Sequence, residues 1–276
     1  MQNFTLLFRR KVNVVLGMIH LKALPGCPRN SLGVGEIEKA ACYEAQLYKD
    51  LGLDGVIVEN MHDVPYQHST EVGPEVSASM AVICAAVKSV MGVKPVGVQV
   101  LAGANKQALG VAKAAGLDFI RAEGFVFSHV SDEGLMNACA GDLLRYRKYI
   151  GADHIQVFTD IKKKHSAHAI TSDVSIKETS KAAEFFLSNG VIITGGATGQ
   201  EADVTEMKDV AEAVSIPVLI GSGVTKDNLQ MYSSANGLIV GSHFKKDGHW
   251  ENDIDPWRVH TFMEEVMRLR ESDTNS

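Results

Sequence analysis

The chain has 276 residues, of which 45% are hydrophobic and 22% are charged, and its formal net charge is −6. This length suits one large domain with a full core, and the acidic balance argues against nucleic acid as the main partner, because binding to a phosphate backbone needs a basic surface. No apolar run approaches the roughly 20 residues that cross a bilayer; the longest, 76–87, contains serines and is predicted to be a buried helix, so no integral membrane segment is expected.

Residues 1–11 form a basic N-terminal extension that contains Arg9, Arg10 and Lys11 and no acidic residue. This composition is typical of a mitochondrial transit peptide. The extension is therefore interpreted as a short targeting segment, and a mitochondrial location is expected. A strand begins near Val12, which leaves the segment short. The alternatives are a frayed basic N-terminus and a cytoplasmic location.

Short β-branched runs, nearly all apolar, alternate with amphipathic segments along the rest of the chain, as expected for strands that are covered on both faces of a parallel sheet. The predicted strands are 13–19, 54–58, 95–101, 117–122, 154–159, 191–194, 217–220 and 237–240. The predicted helices are 36–51, 76–91, 106–115, 132–150, 175–188, 204–214, 226–233 and 256–270. Asp132 is a candidate N-cap, and 271–276 is predicted to be a disordered tail.

This alternation implies parallel strand–helix–strand connections. Eight units in this length predict a single (β/α)8 barrel over 12–270. A doubly wound open sheet is the alternative, but no GxGxxG follows the first strand. Several joints between a helix and the next strand share one form, as in Gly52-Leu-Asp54, Gly116-Leu-Asp118 and Ala235-Asn236-Gly237, which indicates weak internal repetition of one unit.

The four cysteines are scattered, with no CxxC pair. They are Cys27, Cys42, Cys84 and Cys139. This spacing argues against a zinc site and against a disulfide framework. The cysteines are therefore expected to be small buried hydrophobes in a reducing compartment.

The last two predicted strands both end in small residues, Gly221-Ser-Gly223 and Gly241-Ser242. In barrels of this class a phosphate site often lies after strands 7 and 8, where backbone N–H groups bind the anion. Lys245 lies just beyond and is expected to add a charge. The alternative is that these glycines serve turn geometry alone. The predicted phosphate-binding residues are Gly195, Gly221, Ser222, Gly223, Gly241 and Ser242, with Gly195 in a glycine-rich loop, 194–199, that is interpreted as a ligand wall or lid.

Four side chains at predicted strand ends are candidate catalytic groups: His20, Glu59, Asp160 and Lys164. A carboxylate that follows an apolar strand is partly desolvated, which raises its pKa and suits Glu59 to acid–base work. Asp160 with the following Lys162-Lys-Lys-His165 is interpreted as a proton relay or a metal ligand. The alternatives are an N-cap or an ion pair with Arg121 for Glu59, a solvated basic loop around Lys164, and a structural role for His20.

Two further polar residues are assigned to substrate binding, Asn60 and Arg121. Arg121 is suited to pairing a substrate anion, although it also lies where it would balance Glu123. No cofactor is assigned. A divalent metal held by Glu59 and Asp160 remains an alternative.

A set of motifs along the chain resembles the BtpA family. The motifs are Gly17-Met-Ile-His20, Leu24-Pro-Gly26, Asp54-Gly-Val-Ile-Val-Glu-Asn60, Asp160-(x)3-Lys164-His165, Thr194-Gly-(x)2-Thr198-Gly199 and Gly221-Ser-Gly-Val224. The resemblance runs from Val12 to Met267. It implies a barrel of the ribulose-phosphate-binding type. The family is named for a bacterial protein needed for photosystem I biogenesis, and another branch is proposed to be nucleosidase-like.

Three positions depart from the family pattern. The third strand continues as Gln99-Val-Leu-Ala-Gly-Ala-Asn105, the fourth ends Arg121-Ala-Glu123, and Asn236 stands where the family favours Asp. A different substrate preference, or a loss of activity, is therefore open.

Together these observations predict an enzyme that acts on a small phosphorylated sugar or nucleoside-like metabolite. Glycosidic-bond cleavage, isomerisation and aldol-type cleavage all stay open. The sixth strand ends Ile193-Thr194 without a Schiff-base lysine, so aldolase chemistry would depend on Lys164. The alternatives are a non-catalytic assembly factor and a metabolite sensor. Barrels of this type often pair, so a homo-oligomer is one expectation.

Overall fold

The computed structural model describes residues 1–274 and forms a closed barrel of eight parallel strands. The barrel strands are β1 Val14–His20, β2 Gly55–Glu59, β3 Val96–Gln99, β4 Phe119–Ala122, β7 Gln156–Ile161, β9 Gly190–Ile193, β10 Val218–Ile220 and β11 Gly237–Val240. They pair in the order β1-β2-β3-β4-β7-β9-β10-β11, and β11 closes on β1. The predicted (β/α)8 barrel is confirmed, and the open-sheet alternative is wrong.

Helices cover the outside of the barrel, and a small second sheet lies above it. The helices are α1 Gln2–Phe8, α2 Val34–Asp50, α3 Pro74–Met91, α4 Asn105–Ala115, α5 Ala140–Tyr149, α6 Ile176–Phe185, α7 Val204–Ala213 and α8 Pro256–Thr274. The small antiparallel sheet contains β5 His129–Ser131, β6 Gly134–Met136 and β8 Ser166–Ala167, in the order β6-β5-β8. Because β8 follows β7, this sheet ties two neighbouring loops together.

Three predicted elements were wrong in extent. The helix predicted over 132–150 begins only at Ala140, because Gly134 has a φ of +109° and turns the chain into the β5–β6 hairpin. The helix predicted over 226–233 is a single 3-10 turn, Leu229–Tyr232, because the Asn228 side chain bonds Gly223 and Glu201 and holds the preceding residues as a loop. The predicted disordered tail is helical to Thr274, and residues 275–276 lie outside the described part.

The repeated joint before the strands has a physical role at the amino-terminal end of the barrel. Asp54 accepts a hydrogen bond from the Val15 N–H, and Asp118 accepts one from the Val96 N–H. Two asparagines do the same, Asn189 for Val157 and Asn236 for Val218. In each case the side chain that precedes one strand satisfies an N–H in the first two residues of its neighbour, so the joints fix the register of the barrel where it begins.

The basic N-terminal extension is not frayed. Its helix α1 closes the amino-terminal end of the barrel, with Phe4 and Phe8 buried. The two rings meet Phe158 and Phe119 inside the barrel, with ring centroids 5.9 and 5.7 Å apart. The basic residues follow this helix and are left at the surface, as with Arg9, so the basic composition and the packing of the segment belong to different residues.

A second apolar core lies between the barrel and the outer helices. Helix α3 contributes Met80, Ile83 and Val87 to it, all fully buried. Among residues 1–274, α3 is the one helix long and apolar enough to cross a membrane by length and composition, which is weak evidence, and its place between α2 and α4 is that of a core helix. The cysteines are free, and of them Cys84 is fully buried beside Ile83.

Candidate functional site

A cavity of about 620 Å³ opens at the carboxyl end of the barrel. Its floor is made by side chains at the strand ends, where His20 of β1, Glu59 of β2 and Gln99 of β3 lie side by side in register. Alternation along each strand explains this layer, because residues two apart point to the same side and the residues below, such as Met18 and Ile57, fill the interior. The polar layer therefore rests directly on the apolar core.

Arg121 and Asp160 form a buried ion pair across β4 and β7. The Arg121 Nε and Nη2 donate to the two carboxylate oxygens of Asp160 at 3.0 and 2.8 Å. Both side chains are at most 5% exposed. Although burial opposes the charge, Asp160 and the nearby Glu59 and Glu123 raise the pKa of Arg121 above its ordinary value. The two charged side chains therefore hold each other in fixed positions in the floor of the cavity, and this ion pair is called the buried platform below.

Glu59 and His20 form the second buried contact, with Glu59 Oε2 3.7 Å from His20 Nε2. Burial raises the pKa of Glu59, although Arg121 and Lys164 oppose this rise. Burial, with Lys245 as a second cause, holds the pKa of His20 well below its ordinary value. The expected ion pair of Glu59 with Arg121 is not formed. Instead, Glu59 faces a neutral imidazole, and both side chains are buried.

The lysine run after β7 divides into different roles. Lys162 Nζ donates to the Thr171 carbonyl at 2.9 Å, and Lys163 Nζ meets the Glu123 carboxylate at 3.3 Å. Lys164 lines the cavity, and its backbone N–H donates to Thr194 Oγ1. The Lys164 amine has no hydrogen bond or ion pair within the described residues.

Gln99 contributes an unsatisfied acceptor to the same floor. The side chain is 2% exposed, and its Oε1 has no hydrogen-bond partner in the described part of the chain. A buried polar atom without a partner costs free energy. Gln99 lines the cavity, so a ligand that carries a donor would satisfy it.

Two loops on one side of the cavity present backbone N–H groups. The N–H groups of Ser222, Gly223 and Val224, and those of Gly241, Ser242 and His243, have no acceptor within the described residues. All six residues line the cavity. Neighbouring N–H groups at the ends of the seventh and eighth barrel strands, here β10 and β11, are the usual means by which such barrels bind phosphate.

The predicted small residues have individual structural reasons as well. A Cβ on Gly221 would collide with Ile192 and crowd the Arg121 guanidinium, and one on Gly241 would crowd the His20 ring. Gly223 has a φ of +69° and lies against the Gln200 backbone. Packing and turn geometry therefore explain why glycine stands at these positions. They do not explain why the N–H groups of the two loops lack acceptors in the part of the chain that the structure describes.

The hydroxyls of the two serines differ. Ser222 Oγ accepts from the Gly195 N–H at 2.7 Å and donates to the Gln200 carbonyl at 3.0 Å. The Ser222 hydroxyl and the Gly195 N–H therefore bond each other rather than a ligand. Gly195 also lies outside the cavity lining. The Ser242 hydroxyl lines the cavity and has no protein partner within residues 1–274.

Two residues that the sequence assigned to ligand binding, Asn60 and Lys245, do not lie where they could bind the ligand. Asn60 lies outside the cavity lining and bridges the Leu101 N–H and Asp63, which makes it a loop-fixing residue. Lys245 is 1% exposed and is bound by both carboxylate oxygens of Glu44 at 2.8 and 2.7 Å. It therefore cannot add its charge to the strand-end loops.

The cation beside those loops is one that the sequence did not point to. Arg258, at the start of α8, lines the cavity, and its Nε donates to the His243 carbonyl at 2.6 Å. It has no carboxylate partner within residues 1–274. In the sequence, Arg258 was marked only by its position two residues after Pro256. This position lies at the start of α8, which returns over β11.

The metal alternative is not supported by the donor set. Both Asp160 oxygens are taken by Arg121. Within residues 1–274, no group of three or more His, Cys, Asp or Glu side chains is arranged to hold a metal ion. Glu59 Oε2 lies against His20 Nε2 at 3.7 Å.

A closed parallel barrel with a charged cavity over its strand ends belongs to the large class of (β/α)8 proteins. The model of the BtpA family matches residues 11–268, and the chain belongs to this family. A Caenorhabditis elegans protein whose name describes it as mitochondrial is 52% identical over 93% of this chain and 94% of its own. Photosystem I biogenesis protein BtpA of Synechocystis is 34% identical over 91% of this chain and 87% of its own.

Solved structures share the fold at low sequence identity. Thiamine phosphate pyrophosphorylase of Pyrococcus furiosus aligns with a TM-score of 0.59 at 11% identity, over 95% of this chain and 98% of that one. Orotidine 5′-monophosphate decarboxylase of Methanocaldococcus jannaschii aligns with a TM-score of 0.58 at 14% identity, over 92% and 99%. These neighbours confirm the (β/α)8 barrel fold that the family resemblance implies.

The structure separates the departures from the family pattern by their location. Asn236 lies at the opposite end of the barrel from the cavity, where its amide donates to the Lys11 carbonyl at 2.8 Å while its oxygen accepts from Val218. An Asp would lose the donor, so this departure serves the N-terminal segment. Gln99 and Glu123 line the cavity, and these two departures are the ones that bear on a ligand.

Proposed function

We propose that this protein is an enzyme acting on a small phosphorylated metabolite of the sugar or nucleoside type. One observation carries the proposal: two neighbouring strand-end loops, 222–224 and 241–243, line one cavity and have N–H groups without an acceptor in the described residues, and a buried acid–base pair lies in the same cavity. Unsatisfied donors at this place in a barrel are suited to a phosphate group. Arg258 would neutralise part of its charge.

The names of the structural neighbours support the same ligand class. Thiamine phosphate pyrophosphorylase and orotidine 5′-monophosphate decarboxylase are both named for phosphorylated compounds. The volume of about 620 Å³ lies within the usual range for small-molecule sites. Met61, Tyr66 and Trp250 line the wall and offer apolar surface for the part of the ligand beyond its phosphate.

Glu59 and His20 are assigned the proton transfers. The His20 Nδ1 lies 3.4 Å from the Trp250 carbonyl, which places a proton on Nδ1 and leaves Nε2 as the acceptor facing Glu59. The raised pKa of Glu59 favours its protonated form, and the lowered pKa of His20 favours the neutral ring. A proton can therefore move between Glu59, His20 and a substrate without creating an isolated buried charge.

The binding half of the proposal is tested by calorimetry and thermal shift with ribose 5-phosphate, ribose and inorganic phosphate. We expect ribose 5-phosphate to bind and stabilise, inorganic phosphate to bind more weakly, and ribose to do neither. Ser242→Asp places a carboxylate beside the N–H groups and is expected to abolish binding. Ser31→Asp makes the same charge change at an exposed loop residue outside the cavity and is expected to bind normally.

The catalytic half is tested by following sugar and nucleoside phosphates by NMR with the wild-type protein and Glu59→Gln. We expect turnover of at least one compound that binds, and its loss in Glu59→Gln with binding retained. Binding without product in every case would favour a metabolite sensor. No binding by any phosphate, with both proteins folded, would contradict the proposal and favour an assembly role.

We also propose a mitochondrial location. The support is the C. elegans relative, whose name describes it as mitochondrial, together with the basic composition of residues 1–11. Because Phe4 and Phe8 pack inside the barrel end, a targeting role for this segment requires that it serve before folding and be retained afterwards. Mass spectrometry of the protein from isolated mitochondria would test this, since the proposal expects residues 1–11 to be present.

A further inference from the structure

Lys164 is a charged group of the cavity to which neither the proposed acid–base pair nor the proposed phosphate site assigns a role. It follows two lysines that are both committed to protein partners, Thr171 for Lys162 and Glu123 for Lys163. The Lys164 amine has no hydrogen bond or ion pair within the described residues. A lysine kept in a cavity without a carboxylate partner is expensive as a cation and is suited to act as an amine.

Its surroundings are charged on every side. Arg121, Glu59, Asp160 and Glu123 all act electrostatically on the amine. Arg121 and Asp160 neutralise each other through their bidentate contact, and Glu123 is neutralised by Lys163. Glu59 is the remaining carboxylate, and it faces His20. Among the charged groups that act on the Lys164 amine, this leaves one unpaired amine, Lys164, and one unpaired acid, Glu59, within the described residues.

We propose that the Lys164 amine forms a covalent imine with the carbonyl carbon of a phosphorylated aldehyde or ketone, whose phosphate is bound at 222–224 and 241–243. This inference rests on the proposed function and narrows its substrate class to carbonyl compounds. The Lys164 nitrogen forms the new bond to carbon, and the carbonyl oxygen leaves as water after it gains protons. The products are a protonated imine and one water molecule, so no oxidant or reductant is needed.

Two features of the site support this step. Burial, with Arg121 as a second cause, lowers the pKa of the Lys164 amine, which increases the fraction in the nucleophilic neutral form. Burial raises the pKa of Glu59, which increases the fraction of Glu59 that can donate a proton to the departing oxygen. Once formed, the protonated imine draws electrons from the neighbouring carbon, and the neutral His20 is placed to accept a proton released there.

The experiment uses the full-length protein with ribose 5-phosphate and dihydroxyacetone phosphate as probes. Each probe is added with sodium borohydride, which reduces an imine to a stable secondary amine. We expect the protein to gain the mass of the probe less one oxygen atom, and peptide mapping to place the gain on Lys164. An excess of inorganic phosphate is expected to suppress the adduct, because it competes for the strand-end loops.

Two matched variants control for adventitious labelling. Lys164→Arg keeps the charge and removes the amine, and it is expected to lose the adduct. Lys162→Arg makes the same change two residues away, where the lysine bonds Thr171 outside the cavity lining, and it is expected to keep the adduct. Thermal unfolding of both variants verifies that they fold.

The outcomes separate this inference from the proposed function. Adducts spread over surface lysines and unchanged in Lys164→Arg would overturn the imine. No adduct from either probe, although both bind and stabilise the protein, would also overturn it and leave the phosphate site standing. No binding by any phosphate compound would overturn both.

Discussion

The two ends of the barrel are built on opposite principles. At the amino-terminal end, aromatic rings close the interior and the side chains of Asp54, Asp118 and Asn236 satisfy N–H groups at the start of neighbouring strands. At the carboxyl end, Gln99 Oε1 and the loop N–H groups are left unsatisfied, and the Lys164 amine is unpaired within residues 1–274. The first end stabilises the fold, whereas the second leaves polar groups without protein partners in the described residues, at a cost in free energy.

This contrast predicts different responses to mutation. Substitutions at the amino-terminal end should change stability and leave ligand binding intact in the protein that still folds. Substitutions at the carboxyl end should change binding or reactivity, and some should leave stability unchanged or increase it. The four predictions below follow this division, from the largest expected effect to the smallest.

The double variant Phe4→Ala/Phe8→Ala is expected to be the most destabilising. Each buried ring that is removed costs about 3–5 kcal/mol, and the two rings pack against each other with centroids 4.7 Å apart. Denaturant unfolding measures the loss. Leu6→Ala on the same helix is the control, because Leu6 is 70% exposed and its variant should unfold like the wild type. Equal stability of the two variants would show that α1 does not close the barrel.

Arg121→Met tests the buried platform at the other end. It leaves the Asp160 carboxylate buried and unpaired, which is expected to cost about 3–5 kcal/mol. The double variant Arg121→Met/Asp160→Leu should recover much of this loss, since no lone charge remains. Lys177→Met breaks an exposed ion pair with Asp209 of 2.9 Å and should unfold much like the wild type, because solvent screens such pairs. A double variant as unstable as Arg121→Met would argue that the pair itself stabilises the fold.

Glu59→Gln is expected to stabilise the protein in a pH-dependent way. Because burial raises the pKa of Glu59 above 4.5, the folded protein retains a proton that the unfolded chain has released. Its penalty is absent well below pH 4.5 and grows as the pH rises through the folded-state pKa. The variant lacks this penalty, so its advantage should increase as the pH rises from 4.5 through the folded-state pKa.

Unfolding measurements from pH 5 to pH 8 would check this advantage, using Glu212→Gln, at an exposed position on α7, as the control. His20 contributes in the opposite direction, because its pKa lies below 6.5 and its stabilisation is lost as the pH falls below that value. His20 is present in both proteins, so the comparison with wild type isolates Glu59. An advantage that shrinks as the pH rises would contradict the assignment.

The sequence was sufficient for the barrel and for the polar layer of the cavity. Apolar runs of strand length and their alternation with helices are local signals, and His20, Glu59 and Arg121 were found because strand ends share one edge of a parallel sheet. Pairing between them was not predictable. Which carboxylate Arg121 binds depends on side-chain distances across three strands, and the structure pairs it with Asp160 rather than with Glu59.

The other misses have the same origin. Residues 132–150 have helical composition, yet a hairpin forms because β5 finds a second partner in β8, more than thirty residues later. Lys245 follows a promising motif, but its partner Glu44 lies on a distant helix. Arg258 reaches the cavity only because α8 returns to β11. Local composition predicts elements, whereas contacts between distant elements decide which charges face the ligand.

Ser242→Ala is the smallest change and the sharpest test of the carboxyl end. The Ser242 hydroxyl lines the cavity without a protein partner in the described chain, so its removal should leave stability unchanged. If it binds the phosphate, affinity should fall by roughly threefold to tenfold, which corresponds to about 0.5–1.5 kcal/mol.

Ser222→Ala provides the matched contrast on the neighbouring loop, because the Ser222 hydroxyl bonds the Gly195 N–H and the Gln200 carbonyl. We expect this variant to lose stability rather than a direct contact with the ligand. Calorimetry with ribose 5-phosphate and thermal unfolding of both variants separate the two effects. The reverse result, with affinity lost only in Ser222→Ala, would move the phosphate from the β11 loop to the β10 loop and would redefine which end groups are kept free for a ligand.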